Sequence, residues 1–257
     1  MIIILRLFFC LYIVQISFNC GSNSITSNNS LYPIKSLKIK YQQDWQKDFY
    51  YKKIAEFKNS PIGFDKIVFL GNSITQGLLR HTEKLSRTDI INRGISGDHT
   101  DGILARLQEI IHYKPKAVFL LIGVNDLFED NRSKPERTPA YVANNILSIC
   151  KAIKNKSINT RIFIQTTLPI NNEQYLNKKP NIEFLFSNYT PSVNKQINEV
   201  NKILKSNSSF NVIDLHSAFL NEGLQLDPKF STDGVHLNEL GYQNWINIVN
   251  PILKDIK

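Results

Sequence analysis

Asp65-Lys66-Ile67-Val68-Phe69-Leu70-Gly71-Asn72-Ser73-Ile74-Thr75 reads as a buried strand that delivers a serine. Ile67 to Leu70 is an unbroken apolar run of strand length with β-branched residues, the mark of a strand covered on both faces. Gly71 lets the backbone turn where that run stops. Ser73 then falls at the carboxyl end of the strand, the edge of an open parallel α/β sheet where ligands bind. A helix starting there would direct N–H groups and its positive dipole end at an anion. A serine so placed is a candidate nucleophile whose own N–H can help hold an oxyanion. Taken alone, a strand-Gly-x-Ser turn is also an ordinary strand-to-helix connection, so the other strand ends have to carry the argument.

Downstream, residues 89–94 form a short strand, Ile95-Ser96-Gly97-Asp98 a loop, and Ile103, Leu104, Leu107, Ile110 and Ile111 a helix. The run 117–122 is the strongest strand in the chain and enters Gly123-Val124-Asn125-Asp126. A helix over about 138–154, a strand over 161–166, a helix over 192–205, a strand over 211–215 and a closing helix over 237–253 complete the alternation. Residues 170–190 are polar around Phe184, Leu185 and Phe186 and show no period, so a long loop over the strand ends is expected. Upstream, Trp45, Phe49, Tyr50, Ile54 and Phe57 fall at helical spacing behind Asp44, which predicts a lead-in helix with Asp44 as its cap. Strands alternating with helices in this way give a parallel sheet with helices on both faces. At 257 residues, one α/β domain over 44–257 is the natural size.

Lys and Arg outnumber Asp and Glu by 31 to 22, a formal charge of +9, but the basic residues are scattered. No basic run is interleaved with stacking aromatics, which argues for a lysine-rich solvated surface and against a nucleic-acid groove. Residues 2–18 are nearly all apolar with Arg6 the single charge, and residues 1–20 read as a signal peptide or lipoprotein leader. Cys20 follows the apolar run and resembles the lipid-bearing cysteine of a bacterial lipoprotein. Lipid anchoring at Cys20 and ordinary signal cleavage both stay open, and either places the working domain outside the cytoplasm. Residues 21–43 begin with a Ser/Asn-rich composition and are expected to form a flexible tether. Cys10, Cys20 and Cys150 allow no disulfide framework or metal cluster. Cys150 sits in a helical pattern as a small buried hydrophobe.

Ser73, Gly97, Asn125 and the pair Asp233 and His236 all fall near carboxyl ends of strands or in the loops that follow, and each fits a part that ester hydrolysis requires. A serine hydroxyl needs a base, and His236 is the candidate because an imidazole can take up and release a proton. Asp233, three residues earlier, is close enough to accept the other ring N–H and fix the tautomer. The N–H groups of Ser73 and Gly97 and the amide of Asn125 are candidate donors to the tetrahedral oxyanion. His99 reads as a loop histidine. His81, His112 and His216 lack partners at metal-ligand spacing, so no metal or cofactor is expected. Asp126 reads as a cap and Arg93 as half of an ion pair.

At Gly71-Asn72-Ser73-Ile74-Thr75, Asn92-Arg93-Gly94-Ile95-Ser96-Gly97-Asp98, Gly123-Val124-Asn125-Asp126 and Asp233-Gly234-Val235-His236, the chain resembles the SGNH hydrolases, also called GDSL esterases and lipases. The blocks occur in that family's order and span about residues 64–253. The resemblance implies a flavodoxin-like three-layer α/β/α sandwich on a five-stranded parallel sheet and a metal-free Ser-His-Asp ester hydrolase. In this chain Asn72 stands where the family motif has aspartate. The expected activity is hydrolysis of small acyl esters, acetyl esters of carbohydrate first. A lysophospholipase or short-chain lipase using Phe184-Leu185-Phe186 as an acyl wall, and a non-catalytic surface carbohydrate-binding protein, are the alternatives.

Overall fold

The computed structural model describes residues 31–129 and 136–257. Five short strands build one sheet: β1 (Ile67–Gly71), β2 (Ile90–Gly94), β3 (Ala117–Leu121), β4 (Arg161–Gln165) and β5 (Asn211–Ile213). Every pair is parallel and the order is β2-β1-β3-β4-β5. This is the doubly wound order whose switch point lies between β1 and β3, so the crevice opens beside the residue that leaves β1.

Side chains alternate along each strand, which splits the apolar run into two cores. Val68, Leu70, Val118, Leu120, Ile162 and Ile164 face one helical layer. That layer is α1 (Asp44–Asn59), α3 (Thr100–Ala105), α4 (Leu107–Tyr113), α5 (Pro139–Lys156) and α7 (Val193–Lys205). Ile67, Phe69, Phe119, Leu121 and Phe163 face the other, made of α2 (Ser73–Gly77), α8 (Leu215–Ala218) and α9 (Glu239–Lys254). The three-layer α/β/α sandwich follows from strands that are apolar on both faces. On the α9 side, Phe69, Phe119 and Phe163 occupy paired register positions and their rings stack at 4.8 and 4.7 Å. Trp245 of α9 closes the row edge-on to Phe69. Cys150 lies fully buried on α5, where burial pushes its thiol up to about 12.

The structure departs from the sequence reading in four places. The tether was expected over 21–43, but Leu31 and Tyr32 are buried in the core, and Tyr32 Oη donates to Phe57 O at 3.1 Å and to Glu109 Oε1 at 2.8 Å. The first helix does begin at Asp44, yet Gln43 occupies the capping position. Residues 170–190 are not all loop: they hold α6 (Asn172–Leu176) and a 3₁₀ turn, Glu183–Leu185, whose Phe184 and Leu185 are buried. The last strand stops at Ile213 because Asp214 turns the chain and accepts from Ser217 N to start α8. The leader, Cys20 and residues 21–30 lie outside the described residues. Among the described residues no helix is long and apolar enough to cross a membrane.

Candidate active site

Ser73 is the first residue of α2, directly beyond β1. Gly71 makes that turn possible by its lack of a side chain: a Cβ there would fall 2.2 Å from Leu121 O and 2.2 Å from Thr75 Oγ1. Asn72 caps the helix, its Oδ1 accepting from Ile74 N at 3.1 Å, and is 1% exposed. The cap needs a side-chain oxygen, which an amide supplies as well as a carboxylate does and without burying a charge. On the other side of α2, Tyr242 Oη of α9 donates to Ile74 O at 2.9 Å.

His236 and Asp233 share one turn just ahead of α9. His236 Nε2 lies 3.0 Å from Ser73 Oγ, and its Nδ1 lies 2.7 Å from Asp233 Oδ2. The other carboxylate oxygen of Asp233 accepts from the backbone N–H groups of Val235, at 3.0 Å, and His236, at 2.8 Å. Burial works to raise the Asp233 carboxyl, but the ring hydrogen bond from His236 and these backbone donors outweigh it and hold it at about 2. An ionised Asp233 accepts the Nδ1 proton, and the tautomer inferred from that bond leaves Nε2 bare toward the serine hydroxyl.

Gly97 and Asn125 come from the loops after β2 and β3. Gly97 has a φ of +78°, a region that disfavours any side chain. Among the described residues neither Ser73 N–H nor Gly97 N–H has an acceptor. Asn125 Nδ2 donates one hydrogen to Asp98 O at 2.8 Å, which orients the amide and leaves its second hydrogen available. Ser73, Gly97, Asn125 and His236 line one cavity of about 630 Å³. Ser73, Ser96 and His236 also border a second cavity of about 370 Å³, so the hydroxyl stands where two spaces meet. The arrangement offers a hydroxyl with a base in reach, a carboxylate holding that base, and three residues with donor groups on the wall of the same cavity.

The loop carrying Gly97 is pinned by a buried ion pair. Asp98 Oδ2 accepts from Arg106 Nε at 3.0 Å and Nη2 at 2.9 Å, and Arg106 Nη2 also donates to Gly71 O at 3.2 Å. Burial raises the Asp98 carboxyl to about 6 against the pull of Arg106. Asp126 caps α3, accepting from Thr100 N at 3.1 Å and Thr100 Oγ1 at 2.5 Å, and burial lifts it to about 7 despite those bonds. Arg93 pairs with Glu109, the two within 2.9 Å and both buried. His81 does have a carboxylate neighbour, Glu239 at 3.4 Å, where the sequence suggested none. His99 is 1% exposed, neither ring nitrogen has a hydrogen-bond partner among the described residues, Nδ1 lying 4.0 Å from Asp101 Oδ2, and burial lowers it to about 4. His99, Asp101 and Asp126 offer ligand atoms within 4.8 Å of one another and are the described residues able to hold a metal. Arg137 adds positive charge beside His99 and Asp126, which works against a cation there.

Sequence reasoning missed Arg106, and it missed that Trp45 and Gln46 of α1 border the Gly97 loop. Arg106 falls at the break between α3 and α4, inside what the sequence shows as one amphipathic pattern, and nothing local marks it as buried against a loop.

Fold and site together define the class: a doubly wound α/β/α sandwich that sets a hydroxyl, an imidazole and a carboxylate in line at its strand-end crevice. Comparison with known proteins agrees: the model of the GDSL-like Lipase/Acylhydrolase family matches residues 69–243, and the chain belongs to that family of hydrolases. No curated protein matches the chain. Among solved structures, a GDSL-like lipase from Bacteroides thetaiotaomicron is similar at a TM-score of 0.64 and 20% identity, covering 80% of this chain and 97% of that one. An acetyl xylan esterase is similar at 0.53 and 18% identity, over 73% and 99% of the two chains. An acetyl-xylooligosaccharide esterase variant from Geobacillus is similar at 0.53 and 19% identity, over 76% and 95%.

Proposed function

We infer that the protein is an exported serine esterase that removes small acyl groups, acetyl above all, from carbohydrate through an acyl-enzyme. The observation that carries this is the run of two short contacts, Ser73 Oγ to His236 Nε2 at 3.0 Å and His236 Nδ1 to Asp233 Oδ2 at 2.7 Å. In this reading His236 takes the Ser73 proton as Oγ attacks the ester carbonyl. The oxygen that gains charge is met by the N–H groups of Ser73 and Gly97 and the amide of Asn125. His236 then hands the proton to the departing alcohol, and water, deprotonated by the same imidazole, releases the acid. The capping role of Asn72 supports an intact nucleophile turn despite the missing carboxylate.

The acetyl-carbohydrate preference is supported by the similarity in fold to esterases that act on acetylated xylan and xylo-oligosaccharides. Export is supported by the apolar residues 2–18, and lipid on Cys20 would hold the enzyme at a membrane surface. A short-chain lipase or lysophospholipase is the second reading, favoured by Phe128 and Phe184, which stack at 4.7 Å on one wall of the larger cavity. The test is release of nitrophenol from a chromogenic acetate ester by the parent protein and Ser73→Ala. Loss of turnover in the variant is expected, and equal rates would exclude serine catalysis. Turnover of acetylated sugars against lysophospholipids then separates the two substrate classes.

A further inference from the structure

Residues 44–59 precede the family-matched region, yet the first turn of α1 lies against the proposed oxyanion donor. A Cβ on Gly97 would fall 2.6 Å from Trp45 Cη2 and 2.8 Å from Cζ3, so the indole edge rests directly on the glycine. Gln46 joins the two segments: its Nε2 donates to Gly97 O at 2.9 Å while its Oε1 accepts from Gln43 N at 2.8 Å. Trp45 Nε1 donates to Gln43 Oε1 at 2.8 Å, which fixes the ring. The buried face of α1 is Tyr50, Tyr51, Ile54 and Phe57, and Trp45 is no part of it, remaining 57% exposed. A large aromatic held rigid, left open and set on the wall of the same cavity as Ser73 and His236 is placed for a ligand.

Resting on the serine-esterase reading above, we propose that Trp45 is the platform for the sugar ring of the substrate, and that α1 thereby sets the leaving-group specificity of the site. The rest of that wall says which ligand it suits. Tyr41 and Trp45 alternate with Gln43, Gln46, Arg137 and Lys179. A hydrocarbon chain would strip water from these amides and cations without offering them a hydrogen bond, whereas sugar hydroxyls can add bonds to them while the ring's C–H face covers the indole.

Trp45 and Trp245 are the two tryptophans of the chain, and Trp245 is fully buried, so Trp45 reports alone on the cavity. In Ser73→Ala protein, binding of an acetylated xylo-oligosaccharide, followed independently by calorimetry, is expected to shift Trp45 emission and shield it from acrylamide. Trp45→Phe in the same background is expected to lose both signals. In the active enzyme, Trp45→Ala is expected to lower kcat/KM for the oligosaccharide relative to a methyl acetate probe by about tenfold, through KM, the scale of one aromatic stacking contact, with Trp45→Tyr recovering most of it. An indole that stays fully quenchable with sugar bound, or an equal loss on both esters, would overturn the platform and leave Trp45 as packing for Gly97. Undiminished turnover by Ser73→Ala would instead remove the esterase reading, whatever Trp45 reports.

Discussion

At the scale of single residues, the site depends on which proton sits where. Asp233 is ionised throughout the working range because its hydrogen bonds hold it at about 2, so it keeps the Nδ1 proton of His236 in place. Asp233→Asn offers an amide N–H to Nδ1 and turns the tautomer over, leaving Nε2 protonated and unable to accept from Ser73. A fall in kcat of about 10⁴ with an unchanged melting temperature is expected, measured on a chromogenic acetate ester. His99 gives the pH dependence. Its imidazole is lowered to about 4 when folded, against an ordinary value of about 6.5, so the unfolded chain binds the proton first. Stability from this residue is therefore complete above pH 6.5 and is lost as pH falls from there toward 4. His99→Asn removes that dependence, and urea unfolding should show its stability relative to the parent improving by about 3 kcal/mol between pH 7 and pH 4. A constant difference between the two proteins would show that His99 is free to charge in the fold. The candidates Ser73 and Asn125 stand out in the sequence because each sits in a short block behind an apolar run, and Asp233 and His236 because of their spacing and the family resemblance. Arg106 and Trp45 were not, since what they touch is set by how helices dock on a loop.

The elements are legible where burial imposes a period and hidden where it does not. β1 and β3 are apolar on both faces and were read to within a residue or so of their bounds. α6 has five residues and buries none of them, so no apolar stripe announced it. β5 and α8 are three and four residues long, and the change of direction at Asp214 is a capping event that periodicity cannot register. The stacked row of Phe69, Phe119 and Phe163 lies in the core that α9 covers, with Trp245 edge-on to Phe69. Phe119→Ala opens a cavity at its centre, where close packing leaves little room to collapse, and should cost about 3–5 kcal/mol by urea denaturation. A loss under 1 kcal/mol would mean that the helix settles onto the gap.

Over the whole molecule, alternating strands and helices announced the parallel sheet, whereas the strand order came into view only with the three-dimensional pairing. The expected tether failed for residues 31 and 32 because two apolar residues in a polar run carry no period, although Tyr32 reaches Glu109 and with it the Arg93 ion pair. Asp233 and His236 ride on a single turn, while Ser73 belongs to the sheet's edge, and they meet through one contact of 3.0 Å. The proposed reaction thus depends on how the turn ahead of α9 is held against the start of α2. Warming should loosen that turn before the sheet and its helices melt, so hydrolysis is expected to fade at temperatures where far-ultraviolet ellipticity is still intact, making the enzyme's own turnover the earliest thermometer of its architecture.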